Sequence, residues 1–122
     1  MKKYKKIAVV GLSPDSHRAS YGVTSYMIDV GYDVVGVRPG SKEILGRPCY
    51  PSLKDVPGPL EIVNVFRAPE HVPAIVREAI ALKAKAIWLQ EGVYHDEAED
   101  EARKAGLLVV SDRCILKEHR RI

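Results

Sequence analysis

Five short apolar runs rich in β-branched residues recur along the chain. They are Ile7-Ala8-Val9-Val10, Val34-Val35-Gly36-Val37, Glu61-Ile62-Val63-Asn64-Val65-Phe66, Ala86-Ile87-Trp88-Leu89 and Leu107-Leu108-Val109-Val110. Each is near-continuous rather than alternating, the pattern of strands in a parallel sheet covered on both faces. Between the runs the period changes to that of a helix. One helix-like stretch extends from about Tyr21 to Val30. In a second, Val72, Ile75, Val76, Ala79, Ile80 and Leu82 repeat at helical spacing, with Pro69 suited to a first turn and Glu70 to the positive end of the dipole. A third is expected after Asp96 as its cap, with Ala98, Ala102 and Ala105 on the inner face and Gly106 as its stop. Segment 40–59, with three glycines and four prolines, reads as the least regular part, carrying only a short helix around Ser52–Val56.

Strands alternating with helical crossovers give an α/β chain, and right-handed crossovers make it a doubly wound parallel sheet. The expected architecture is five strands in the order 3-2-1-4-5, numbering the runs as above, with helices on both faces. Ligands of such sheets lie at the carboxyl ends of the strands, at the switch point, here expected between the first and fourth runs. The residues to weigh are therefore Gly11–Tyr21, Arg38-Pro39, Phe66-Arg67-Ala68, Gln90-Glu91-Gly92 and Ser111-Asp112-Arg113.

Size and composition narrow the class. A chain of 122 residues is expected to form a single domain, 1–122, burying about two thirds of the surface that its unfolded form exposes. Its 46% hydrophobic and 29% charged residues are those of a soluble globular protein rather than a disordered one. No apolar stretch approaches the roughly 20 residues of a membrane helix. The Met-Lys-Lys-Tyr-Lys-Lys start is followed by too short an apolar run for a signal peptide, so a cytoplasmic location is expected. A net charge of +3, with scattered basic residues and no interleaved aromatic platform, argues against nucleic acid and suits one small polyanion. Cys49 and Cys114 are too few and too far apart in sequence for a metal cluster, and a reducing compartment disfavours a disulfide.

Candidate chemistry gathers after the strands. Of a full Gly-x-Gly-x-x-Gly pattern only Gly11 is in place, and Ser13 and Ser16 occupy the other positions. Gly11 permits a tight turn; Ser13, Ser16 and Ser20 offer hydroxyls; the helix near Tyr21 offers free amides and a positive dipole end. The plainer alternative is a structural turn with Ser20 as helix cap, although the loop exceeds the roughly 2–6 residues such a connection needs. Arg18 adds a cation inside the loop. Arg38 stands where dinucleotide sites carry Asp or Glu for the ribose hydroxyls, and a guanidinium there fits a ribose bearing an extra phosphate, as in NADP or coenzyme A, but not unmodified NAD. Pairing of Arg38 with Glu43 or Asp33 is the alternative. Phe66-Arg67 closes the third run with an aromatic face and a cation, although Phe66 equally suits the core. Gln90 and Gly92 close the fourth. Trp88 reads as sheet core, and the four histidines have no metal-like spacing. Cys114 with His119 lacks any oxyanion or orienting group that would make a nucleophile pair, so Cys114 reads as a small buried residue.

Taken together, Val10-Gly11-Leu12-Ser13, Arg18-Ala19-Ser20-Tyr21, Gly31-Tyr32-Asp33-Val34, Val65-Phe66-Arg67, Trp88-Leu89-Gln90-Glu91-Gly92-Val93 and Asp112-Arg113-Cys114 resemble the small stand-alone coenzyme A-binding proteins. These are similar to the N-terminal domain of the succinyl-CoA synthetase alpha subunit, and the likeness runs from about Ile7 to His119. The resemblance implies a Rossmann-like domain that holds coenzyme A or an acyl-CoA without catalysis of its own. On that pattern Gly11, Leu12, Ser13, Pro14 and Arg18 meet the pyrophosphate, and Arg38, Pro39, Phe66 and Arg67 the adenosine end. Ser20, Tyr21, Gln90 and Gly92 complete the expected contact set. Relatives often carry Asn-Pro where this chain has Arg38-Pro39, a departure that bears on the adenosine contacts. The histidine phosphorylated in those synthetases belongs to another domain. Two alternatives stay open: an NADP-binding domain or small reductase, and a ligand-gated interaction subunit docking on an acyl-CoA enzyme. A partner enzyme or a homodimer is compatible with either.

Overall fold

The computed structural model describes residues 4–120. Its strands are β1 (Lys6–Val10), β2 (Asp33–Val37), β3 (Glu43–Ile44), β4 (Arg47–Tyr50), β5 (Ile62–Val65), β6 (Ala86–Leu89) and β7 (Leu108–Val110). Its helices are α1 (Ala19–Asp29), α2 (Val72–Ala81), α3 (Asp96–Lys104) and α4 (Ile115–Arg120). Seven strands form one sheet in the order β3-β4-β2-β1-β5-β6-β7, parallel throughout except for β3 against β4.

The α/β class and the helix-covered parallel sheet are as expected, but the strand count and order are not. The third apolar run became β5 and lies beside β1, with Ile7 opposite Ile62 and Val10 opposite Val65, instead of beyond β2. The switch point therefore falls between β1 and β5. The place beyond β2 is taken by β4, drawn from the segment expected to be irregular. Only Cys49 of β4 is buried, so the strand carries no apolar run that could announce it. It pairs with β2 through Gly36 and Val37 and gives its other edge to β3. The two-residue reversal uses Leu45 and Gly46 at φ +56° and +72°, the geometry of a type I′ hairpin, but with Leu where Asn or Asp usually marks such a turn. Arg47 fastens this edge, its Nε donating to the Val34 carbonyl at 2.8 Å and its guanidinium pairing with Asp33.

Both faces of the sheet are apolar because both are covered. Ala8, Val10, Val35, Val63, Val65, Ile87 and Leu89 pack with Val72, Val76 and Ala79 of α2 and Ala98 and Ala102 of α3. On the opposite face Ile7, Val9, Val34, Ile62, Ala86 and Trp88 meet Met27 of α1 and Ile115 of α4. Successive residues of each strand therefore serve different layers, which is why the runs read as continuous.

Helix boundaries depart from expectation in two places that matter. First, α1 starts at Ala19, so Tyr21 and Ser20 lie within its opening turn and neither Ser20 nor any other side chain caps it. Second, α3 is capped by His95 and not by Asp96, its first residue. The chain enters with His95 extended, Nδ1 accepts from the Ala98 amide at 3.2 Å, and the Glu99 carboxylate accepts from the His95 amide at 2.8 Å. The arrangement is a variant of the capping box, with an imidazole in the usual Ser or Thr role and the reciprocal carboxylate one residue later than usual. Pro69 opens a 3₁₀ turn, Pro69–His71, that leads into α2, and the expected short helix near residue 54 is a 3₁₀ turn at Leu53–Asp55. No helix among the described residues is long and apolar enough to cross a membrane.

Two stability predictions follow from this frame. His95→Ala should lower the unfolding free energy by about 1 kcal/mol in urea titration, the typical value of a lost cap, and Asp96→Ala should cost less; the reverse ranking would overturn the cap assignment. Glu61 accepts from the Lys6 and Lys5 amides at 2.8 and 3.0 Å, and those bonds hold its carboxyl below the ordinary value of 4.5. A carboxyl depressed by folding contributes fully above its unfolded value and loses that contribution as pH falls through the folded one. Glu61→Gln should therefore destabilise the protein at neutral pH, and the gap to wild type should close as pH drops below 4.5. A gap independent of pH would remove Glu61 from this role.

Candidate functional site

The ends of β2, β1 and β5 are drawn together by backbone bonds. The Gly11 amide donates to the Val37 carbonyl at 3.0 Å, and the Phe66 amide donates to the Val10 carbonyl at 2.9 Å. Gly11 itself holds φ +88°, and a Cβ there would lie 2.5 Å from the Phe66 carbonyl oxygen and 3.0 Å from Arg67 Cδ. Both the dihedral and the space require glycine. From this contact the chain turns outward into the loop that reaches α1.

That loop is ordered by its own side chains. Ser20 Oγ accepts from the Ser13 amide at 3.0 Å, Ser13 Oγ from the Asp15 amide at 3.0 Å, and Asp15 Oδ1 from the His17 amide at 2.9 Å. The Arg18 amide donates to the Asp15 carbonyl, which delivers the chain to the start of α1. The first turn of α1 contains no acid, and its N-cap position is occupied by Arg18. The contrast with α3 is direct, since α3 opens with Asp96, Glu97 and Glu99. Helices commonly place acids at the positive end of the dipole; α1 places a guanidinium there.

A cleft of about 430 Å³ opens between these parts. Gly11, Leu12, Ser13, Arg18 and Ser20 form one wall, and Arg38, Pro39, Phe66 and Arg67 the other, with Ala19 at the head of α1. None of Arg18, Arg38 and Arg67 pairs with a carboxylate among the described residues. Asp33, the alternative partner for Arg38, is taken by Arg47, and Arg38 Nε makes only a long 3.4 Å contact to the Pro39 carbonyl. Beneath Arg38, Cys49 Sγ lies 3.9 Å from the Arg38 carbonyl, and burial pushes this thiol up, which makes it a poor nucleophile.

The remaining expected residues lie elsewhere. Pro14 and Tyr21 do not line the cleft. Gln90 and Gly92 line a second hollow of about 350 Å³, which shares Ala19, Phe66 and Arg67 with the first and adds Cys114. Gln90 is 4% exposed, and its Oε1 accepts from the Ile115 amide at 3.2 Å, fixing the start of α4. The Gly92 amide donates to Asp112 Oδ1 at 2.7 Å, stitching the loop after β6 to the loop after β7. Trp88 is core, as expected, and its Nε1 donates to the Arg113 carbonyl at 2.7 Å. His119 does not serve Cys114; its Nδ1 meets the Tyr26 hydroxyl at 2.9 Å on the contact between α1 and α4. Among the described residues no group of three or more His, Cys, Asp and Glu side chains could hold a metal. Sequence reasoning missed Ala19, because it began the helix two residues late, and missed that Cys114 faces a hollow.

Comparison with known proteins places this geometry in a family. Residues 5–120 match the model of the CoA binding domain. An uncharacterized protein of Bacillus subtilis, YneT, is 39% identical over 119 residues, covering 98% of this chain and 88% of the relative. A hypothetical protein from Pyrococcus horikoshii is 43% identical with a TM-score of 0.94, over 98% of this chain and 84% of that one. An ADP-forming acetate–CoA ligase of Archaeoglobus fulgidus is 26% identical over 121 residues, which cover 91% of this chain but 18% of the ligase. With the match extending over nearly every described residue, from the first strand to the last helix, the chain belongs to the CoA-binding domain family.

Proposed function

We propose that this chain binds coenzyme A, free or as an acyl thioester, at the carboxyl edge of its sheet and carries out no reaction on it. The observation that supports this most is electrostatic. Three guanidiniums without carboxylate partners and a helix N-terminus without acids surround one cleft, where a ligand with several phosphate groups would supply the missing negative charge. In this reading the Gly11–Ser13 turn and the head of α1 take the pyrophosphate. Arg38 forks onto the phosphate on the ribose, and Phe66 with Arg67 takes the adenine edge and its neighbourhood. The second hollow, which shares Ala19, Phe66 and Arg67 with the first, receives the pantetheine arm. Pro14 and Tyr21 shape the loop and the helix without touching the ligand.

The non-catalytic part of the reading is supported by the linings: the first cleft offers arginines, serines and apolar groups, and in the hollow given to the pantetheine arm the Glu91 carboxylate is paired with Lys117. The family match and the partial likeness to an acetate–CoA ligase favour coenzyme A over NADP.

Thermal denaturation tests the ligand. Coenzyme A at 100 times its dissociation constant should stabilise the fold by about 2.7 kcal/mol, whereas NADPH should shift the midpoint little. A larger shift with NADPH would transfer the assignment to the dinucleotide. Calorimetric titration tests Arg38. Wild type should prefer coenzyme A over its dephospho form by about 1.5–3 kcal/mol, the range of a charged hydrogen bond, and Arg38→Ala should narrow that preference. Equal wild-type affinity for the two forms would contradict the role given to Arg38.

A further inference from the structure

Ser20 is expected from sequence to touch the ligand, and it lines the cleft, but its oxygen also accepts a bond from within the loop. The residue is 5% exposed, sits in the first turn of α1, and accepts from the Ser13 amide across seven positions of chain. That one bond closes the loop on itself. From Ser13 the order passes along the loop, because Ser13 Oγ takes the Asp15 amide, Asp15 Oδ1 takes the His17 amide and the Asp15 carbonyl takes the Arg18 amide. Each link fixes the next, and the series ends on a guanidinium-bearing residue of the cleft wall.

We infer that Ser20 is a positioning residue: its Oγ latches the loop to α1, so that the Gly11–Ser13 turn and Arg18 are held ready before an anion arrives. This rests on the reading of the cleft as the coenzyme A site. An open loop of this length would have to lose its conformational freedom on binding, and that loss would be charged against affinity. With the latch closed, the loss belongs to folding. Ser20→Ala removes the acceptor and leaves the half-buried Ser13 amide unpaired, while every arginine stays in place. Ser20→Thr keeps an oxygen at the same branch, and Thr is tolerated in a helix.

Amide exchange followed by nuclear magnetic resonance on the ligand-free protein, together with calorimetry, tests the inference. In wild type the Ser13 amide should be protected well beyond the neighbouring exposed loop amides, and in Ser20→Ala that protection should vanish. Ser20→Ala should bind coenzyme A and dephospho-coenzyme A about five- to tenfold more weakly, by the same factor for both, the effect of one uncharged hydrogen bond. Ser20→Thr should restore protection and affinity together. A Ser13 amide that exchanges freely in wild type overturns the latch. Wild-type affinity in Ser20→Ala, a changed ratio between the two ligands, or weaker binding with the Ser13 protection intact overturns the positioning role, the last two because they would mean a direct contact with the ligand. Should wild type bind neither ligand, the coenzyme A reading fails while the exchange measurement still decides the latch.

Discussion

The contact between the ends of β1 and β5 governs the geometry of this molecule. At Gly11 the backbone turns with positive φ against the Phe66 carbonyl, so closely that a single methyl group would overlap it. Because the two strands are neighbours in the sheet and their chains then leave toward opposite edges, the contact marks the floor of a crevice. The loop to α1 rises from one side and Phe66-Arg67 from the other, and the end of β2 brings Arg38 alongside. Packing of apolar strands beneath is what allows such a crevice to remain open. Val10, Val37 and Val65 are all buried immediately below the turn, so the carboxyl ends cannot collapse on one another.

Above this floor the chain leaves positive charge uncompensated. Elsewhere some basic groups, though not all, are answered: Arg47 by Asp33, Arg77 by Glu101, Arg103 by Glu99 and Asp100, Lys117 by Glu91. At the cleft they are not, and the helix that begins there lacks the acids that open α3. Fold and charge thus separate cleanly. The sheet supplies a position that many α/β proteins share, and three arginines with one bare helix end give that position a positive charge that an anion would answer. The membership of the chain in the CoA-binding domain family is consistent with that charge without depending on it.

Much of this was legible in the amino-acid sequence, for a physical reason. Strands buried on both faces leave long apolar signatures, so β1, β2, β5 and β6 were visible, as was the apolar but partly exposed edge strand β7, and the residues following them could be read off as the rim. The order of the sheet was not visible, because β4 buries little more than Cys49 and turns on a Leu45-Gly46 pair that lacks the usual Asn or Asp. Missing that strand displaced β5 by two places. Caps were read from residue type, which favours Asp96, while the actual cap depends on the extended dihedrals of His95, which sequence does not reveal. Ser20 is the clearest case at the site. Its hydroxyl was noticed as a ligand for phosphate, but only the fold shows it turned inward to hold its own loop.

The central claim is that the cationic rim, and no other surface, takes the ligand. Titration of isotopically labelled protein with coenzyme A, followed residue by residue through amide chemical shifts, tests it most directly. The account predicts perturbations concentrated at residues 11–20, Arg38, Phe66 and Arg67, with smaller ones reaching Gln90 and Gly92. Perturbations centred instead on the groove beside Lys83 and Lys85, at the other end of the strands, would contradict it, as would an unchanged spectrum at millimolar ligand.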